Sequence, residues 1–237
     1  MSSRAIRKPA QTSETFRLSA LLSLSGGLQD AYTYALRGGV FANAQTGNIV
    51  LLSQSLLSGN WLRALHYLLP VLSFASGVLT AEQIRHRFQG ERLHWRQIVL
   101  GVEIAVLFLV GFLPQSQNMA ANMLVSFSCA MQVQSFRKVH GYGYASTMCI
   151  GNLRACMDAM CDYNLNRNKK SLTKAKYYAR VIFFFAVGAG IGGNISPLLR
   201  ERTVWICFAL LAFCYWLMGW KGRKKSHLKE IFEQYEW

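Results

Sequence analysis

Two Gly-Asn pairs carry the clearest chemical signal in the chain. Gly47-Asn48 follows Gln45-Thr46 and opens an apolar run over residues 47–57. Gly151-Asn152 opens a similar run over residues 151–160. Both runs are far shorter than the about 20 residues a membrane-spanning helix needs. A helix that begins inside an apolar environment leaves its first N–H groups without intrahelical partners, at several kcal/mol each in hydrocarbon. Thr46 or Asn48 can supply a side-chain acceptor as a cap. Gly47 lets the backbone approach a ligand closely, and an open helix N-terminus suits a negative group. The second copy, Ile150-Gly151-Asn152, lacks the Thr but has Arg154 one turn on. Two half-helices pointing at a bilayer midplane would enclose a polar site. The alternative is that both pairs are only caps, satisfied by neighbouring helices.

The titratable residues sharpen this picture. Asp30 lies past the middle of the apolar stretch Phe16–Leu36, behind Gly26-Gly27. An acid at that depth is a functional candidate: it can carry a coupling proton, or it can neutralise Arg154 or Arg37. Setting Gly47-Asn48 on Gly151-Asn152 brings Asp30 onto Gln134, which adds Gln134 and Asn152 to the candidate site. Glu103, about two turns into another apolar run, is expected to reach the inner interface. Arg154 and Asp158 are four apart and are expected to pair. His66 and His140 read as interfacial. Other chemistries find no support: there is no HExxH, no GxSxG and no nucleotide-binding motif. The cysteines (Cys129, Cys149, Cys156, Cys161, Cys207 and Cys214) form no CxxC, and most sit in apolar runs, where Cys behaves as a small hydrophobe. No enzyme activity, metal, cofactor or disulfide framework is expected.

The elements that must position these residues follow from composition. Of 237 residues, 52% are hydrophobic and only 16% charged, against about 25% in ordinary globular domains. The net charge of +15 is gathered into blocks at residues 4–17, 85–96, 167–180 and 221–229. That is the pattern of cytoplasmic loops between membrane spans, so the basic surplus does not indicate a nucleic-acid partner. No cleavage site follows the first apolar run, which is expected to stay as a helix. Six stretches approach spanning length: Phe16–Leu36 and residues 61–80 (kinked at Pro70), 97–113, 119–136, 178–198 and 204–220. If the two short segments enter without crossing, every large basic block falls on one side and the uncharged residues 114–118 on the other. If they cross, block 85–96 is thrown outside, against the positive-inside rule.

The halves also resemble each other beyond the Gly-Asn pairs, with Phe74-Ala75-Ser76-Gly77 matching Phe185-Ala186-Val187-Gly188. The expectation is an all-α polytopic membrane helix bundle of about six spans plus two short re-entrant helices, in two inverted repeats. A cytoplasmic tail, residues 1–15, precedes one membrane domain, 16–220, made of repeats 16–114 and 118–220. A basic cytoplasmic tail, 221–237, follows, with Leu228, Ile231, Phe232 and Tyr235 on roughly one face; it either lies along the inner leaflet or is simply solvated. Three spans per repeat makes the copies inverted, a recurrent transporter design. Gly188 and Gly192, four apart, suit close helix packing, either within one chain or between copies in a homo-oligomer.

The segment "GGLQDAYTY", followed by "GGVFANAQTGNIVLL", resembles the signature of the YoaK-like family of bacterial inner-membrane proteins. That signature reads Gly-x-x-Asp-Ala, then Phe-x-x-x-x-Thr-Gly-Asn. The matching positions are Gly27, Asp30, Ala31, Phe41, Thr46, Gly47 and Asn48, and the likeness extends over about residues 17–220. The resemblance implies a multi-pass helical protein of the inner membrane and names no substrate; the terminal basic blocks, on the side of block 85–96, put both termini in the cytoplasm. The function expected is a permease, a secondary transporter in the bilayer for a small polar or anionic solute. The alternatives are a membrane enzyme on a lipid-linked substrate and a structural or regulatory membrane protein.

Overall fold

The computed structural model describes residues 15–89, 94–139 and 142–234, with side chains up to Trp220. Residues 1–14, His140 and the tail face expected from Leu228 to Tyr235 lie outside that description. Among the described residues eight α-helices make up the fold: α1 Phe16–Leu36, α2 Gln45–Leu57, α3 Trp61–Phe88, α4 Trp95–Val110, α5 Asn118–Ser135, α6 Cys149–Asn166, α7 Lys169–Leu199 and α8 Val204–Gln234. Short 3-10 turns precede α5 and α8, and a two-residue hairpin, β1 Lys138–Val139 with β2 Tyr142–Gly143, follows α5.

Local chemistry sets the breaks. Gly59, at φ +72°, turns the chain out of α2, and the Asn60 side chain accepts from Arg63 N–H to cap α3. The Asn168 side chain caps α7 through Lys170 N–H. Several helices outrun the apolar stretches that announce them. α3 continues to Phe88 and α7 begins at Lys169, because Lys, Arg, Gln and Glu form helix as readily as apolar residues do. The second short segment is 18 residues rather than about ten: its polar end, Asp162 to Asn166, stays helical.

The helices pack in matched pairs. α1 lies along α7 and α5 along α3; α2 rests on α3 and α6 on α7; α4 joins α5 and α8, while α8 also meets α1. The two long seams are built on glycine. A methyl at Gly27 would strike the Phe185 carbonyl, one at Gly188 the Leu24 carbonyl, and one at Gly77 the Phe127 carbonyl. Close backbone approach of this kind is what small residues permit in helix packing. A methyl at Gly192 would likewise sit 2.7 Å from the Leu28 carbonyl oxygen. Gly188 and Gly192 therefore close the α1–α7 seam inside one chain, the within-chain packing of the two readings their spacing left open.

Among the described residues, two helical stretches are long and apolar enough to cross a membrane, Trp61–Phe88 and Lys169–Trp220, with mean hydropathy 1.5 and 1.7 over an 18-residue window of each. α1 and α5 are more polar because they are the inner helices. Ser23, Ser25, Gln29 and Asp30 of α1 are buried, as are Asn122, Ser126, Ser128 and Gln132 of α5. The main core joins α1, α4, α5 and α8 through Leu22, Leu28, Leu107, Cys129, Cys207 and Leu211.

The two ends of the bundle differ. At one end Glu82 of α3 binds Arg85 at 2.5 Å, the Gln134 amide at 2.8 Å and Arg137 at 3.8 Å, and Arg96 donates to the Ser135 carbonyl. At the other end Arg37, fully buried, donates to the carbonyls of Leu113 (2.8 Å) and Pro114 (3.1 Å), to Asn118 Oδ1 (3.0 Å) and to the Tyr32 hydroxyl (2.8 Å).

Candidate functional site

After α1 the chain turns back on Gly38 and Gly39, both with positive φ, and re-enters the bundle to begin α2. Asn48 holds this return in place. Its Oδ1 accepts from Phe41 N–H at 3.1 Å, and its Nδ2 donates to the Phe41 carbonyl at 2.7 Å and to Gln45 Oε1 at 2.8 Å. Asn152 repeats the arrangement: it accepts from Ala145 N–H at 3.3 Å and donates to the Ala145 carbonyl at 2.6 Å. In both cases an asparagine in the first turns of the helix ties down the residue seven positions upstream. Neither Thr46 nor Asn48 caps α2. Ala44 and Met148 precede α2 and α6 without any side-chain cap bond, and Thr46 is exposed. The Gly-Asn pairs act as ties for the incoming strand, because the asparagine amide offers one donor and one acceptor to a single peptide unit.

The two returns meet at the middle of α1. The Asn43 amide donates to the Gly26 carbonyl at 3.0 Å, and a methyl at Gly26 would come within 2.5 Å of Thr147 Cγ2. Between the starts of α2 and α6 lies a cavity of about 380 Å³, toward the lower end for small-molecule sites. Its walls are Asp30 of α1, residues 43–46, residues 147–151, Phe74 of α3 and Phe185 of α7. Asp30 is 8% exposed. Its Oδ1 accepts from Asn43 N–H at 2.8 Å, and the backbone of Ala42 and Ala44 also lies against the carboxyl. The start of α2 thus already has an anion beneath it, supplied by the chain. Among the described residues Asn43 Oδ1 and Thr147 Oγ1, at matched positions of the two returns, are buried without a partner.

Of the residues singled out by sequence, Asp30, Thr46 and Gly151 border this cavity. Asn48 and Asn152 stand behind it as ties. Gly47 faces the Phe41 ring, where a methyl would sit 3.1 Å from Cδ2. Gln134 is not in the site. α1 runs six residues beyond Asp30, whereas α5 ends one residue beyond Gln134, so Gln134 reaches the bundle end and Glu82 instead. Arg154 is exposed, and neither Asp30 nor Asp158 forms an ion pair with it; the expected Arg154–Asp158 pair is absent, both side chains being exposed where water competes for the charges. Arg37 does not neutralise Asp30 either, being held by carbonyls. Glu103 does not reach an interface: it is 0% exposed, with both oxygens unpartnered. Among the described residues no three His, Cys, Asp or Glu side chains gather as a metal site would require.

Sequence reasoning missed Asn43, Thr147, Phe74 and Phe185 as wall residues. The signal was present. The register that aligns the Gly-Asn pairs also aligns Asn43 with Thr147, and the Phe-Ala-x-Gly match contains both phenylalanines.

Comparison with known proteins agrees with a membrane setting. The chain is 25% identical over 203 residues to the UPF0700 transmembrane protein YoaK of Bacillus subtilis (strain 168), covering 82% of this chain and 89% of that protein. No solved structure matches. That relative is named a transmembrane protein, and this chain carries, among the described residues, two helical stretches of spanning length. The sequence profile of DUF1275, described as a protein of unknown function, matches residues 18–217, and the chain belongs to that YoaK-like family.

Proposed function

We propose that the protein is a secondary transporter of a small polar solute, bound in the cavity between the starts of α2 and α6. The observation that carries this reading is the convergence of two re-entering helix starts, one from each half, on a buried carboxylate at mid-length of α1. Half-helices meeting at the centre of a repeat pair are the substrate-site design of many transporters. Two further features support an inverted repeat: the Asn48 and Asn152 ties, and helix pairings that survive exchange of the halves. In this reading α1, α3, α4, α5, α7 and α8 span the membrane, and α2 and α6 re-enter from opposite faces. The basic residues around Arg85, Arg96, Arg137 and Lys169 then face the cytoplasm of a bacterial cell, with both termini inside.

The anionic solute suggested by open helix ends loses support at α2, because Asp30 occupies that end. A polar solute able to face a carboxylate fits better. The test is uptake by proteoliposomes containing the purified chain, across a panel of radiolabelled polar solutes. Uptake of at least one solute above empty liposomes, lost in Asp30→Asn, is expected. Labelling of a cysteine placed at position 92 from outside intact cells would sink the proposed topology.

A further inference from the structure

We infer that the solute carries a compact ammonium group, seated on Asp30 between Phe74 and Phe185. This deepens the transporter reading and rests on its choice of cavity. Three observations lead to it. First, Asp30 is nine-tenths buried, and among the described residues it has no cationic partner: its bonds come from the backbone at the start of α2. A buried charge is normally paired, and a cationic ligand supplies the missing partner. Second, no lysine, arginine or histidine lines the cavity among the described residues, so Asp30 is the one formal charge in the wall. An anion would meet repulsion there and no compensating side chain. Third, the apolar part of the wall includes two phenylalanines at matched positions of α3 and α7. Aromatic faces flanking a carboxylate bind ammonium groups through cation–π attraction, and such faces offer nothing comparable to a carboxylate or a phosphate.

The cavity volume sets a limit on size. About 380 Å³ holds a metabolite-sized amine and excludes a peptide or lipid. An ammonium donates up to three hydrogen bonds, and Asp30 accepts the first of them. Free monoamines, quaternary ammonium compounds and amino-acid zwitterions all present a cation to the carboxylate and the rings, although a quaternary group has no N–H to donate. The first two need only Asp30 and the rings. A zwitterion also presents a carboxylate, which would turn toward the start of α6, where no acidic side chain stands in the wall.

The experiment is thermal unfolding of the purified full chain in nanodiscs with defined probes: ethanolamine, tetramethylammonium and glycine, against ethylene glycol and acetate. At least one amine probe is expected to raise the midpoint in a saturable way, while ethylene glycol and acetate leave it unchanged. Asp30→Asn should weaken that probe's apparent affinity by tenfold or more. Phe74→Leu and Phe185→Leu, which keep an apolar wall, should weaken tetramethylammonium or ethanolamine by about threefold to thirtyfold. Stabilisation by ethanolamine or tetramethylammonium marks a cationic solute, and stabilisation by glycine alone marks a zwitterion. The inference is overturned if acetate or ethylene glycol stabilises and no amine does, if no probe stabilises, or if folded Asp30→Asn and both Phe variants bind the amine as the parent does. Amine binding without uptake in liposomes would leave this inference standing and remove the transporter reading. Uptake of anions or polyols with no amine effect would do the reverse.

Discussion

Replacing Asn48 with alanine should cost the protein about 2–4 kcal/mol and disorganise the cavity as well. The figure follows from the bonds removed. Asn48 is fully buried and serves both the N–H and the carbonyl of Phe41, with a third bond to Gln45. Its loss leaves two backbone groups of the return segment without partners in a water-poor environment, at about 1–3 kcal/mol each, and the segment can recover part of that by shifting. Such a shift moves Asn43 and Ala44, the residues that place Asp30. The assay is denaturant unfolding in detergent followed by tryptophan fluorescence, with amine-probe stabilisation measured on the same samples. Asn152→Ala should behave similarly through Ala145. Asn48→Asp should be no better than alanine, because it keeps the acceptor for Phe41 N–H but turns a carboxylate oxygen toward the Phe41 carbonyl. A change below about 0.5 kcal/mol, the range of an ordinary surface substitution, would refute the tie and return the Gly-Asn pairs to the role of simple sequence markers.

Three other outcomes are expected. Glu103→Met should raise stability by about 1–3 kcal/mol in the same unfolding assay, because both buried carboxyl oxygens lack partners among the described residues; a loss of stability would mean that the carboxyl is bonded after all. Gly188→Val should destabilise by at least about 1–3 kcal/mol, since its side chain would meet the Leu24 carbonyl, whereas Gly190→Ala, with nothing within 4 Å, should be neutral or slightly stabilising. Equal effects at the two positions would exclude the α1–α7 seam. At the α6–α7 turn, hydrogen bonds from Ser171 and then Asn166 hold Asp162 below the usual carboxylate range. Its contribution is present above the ordinary carboxylate value and lost as pH falls through the lowered one, so amide protection at the turn should decline below about pH 4 and should not decline there in Asp162→Asn.

The helical architecture was legible in the sequence because apolar run length and charge placement mark helices directly. α1 and the start of α8 fall at the expected residues. Helix ends were less legible where charged residues continue the helix, as in α3 and α7, since composition separates lipid from water and not helix from loop. The Gly-Asn pairs were recognisable, yet their role was not. A cap and a tie use the same residue type, and only the seven-residue reach to Phe41 and Ala145 distinguishes them. Gln134 failed for a related reason. A register that holds through the Gly-Asn pairs does not fix how far each preceding helix runs, and the link between α5 and α6 is longer than that between α1 and α2.

The treatment of opposite charges near the end of α1 explains why the site can exist. Asp30 and Arg37 lie seven residues apart, close enough in sequence to invite pairing, and both are buried. A direct pair would satisfy both groups and leave the cavity without charge. The fold instead gives each a backbone dipole of the opposite sense. Arg37 faces the carbonyl end of α4, through Val110, Leu113 and Pro114, where a cation is favoured. Asp30 faces the amide end of α2, through Asn43, where an anion is favoured. Backbone dipoles carry no net charge, so the negative charge of Asp30 remains available to whatever enters. Separation of the two charges therefore anchors the bundle end with one and keeps the other for the cavity. A redesign that brought a cation to Asp30, such as Thr46→Lys, should occupy the site and abolish amine binding while leaving the Arg37 end of the fold intact. Amine binding that persisted in that variant would show that the ammonium sits elsewhere.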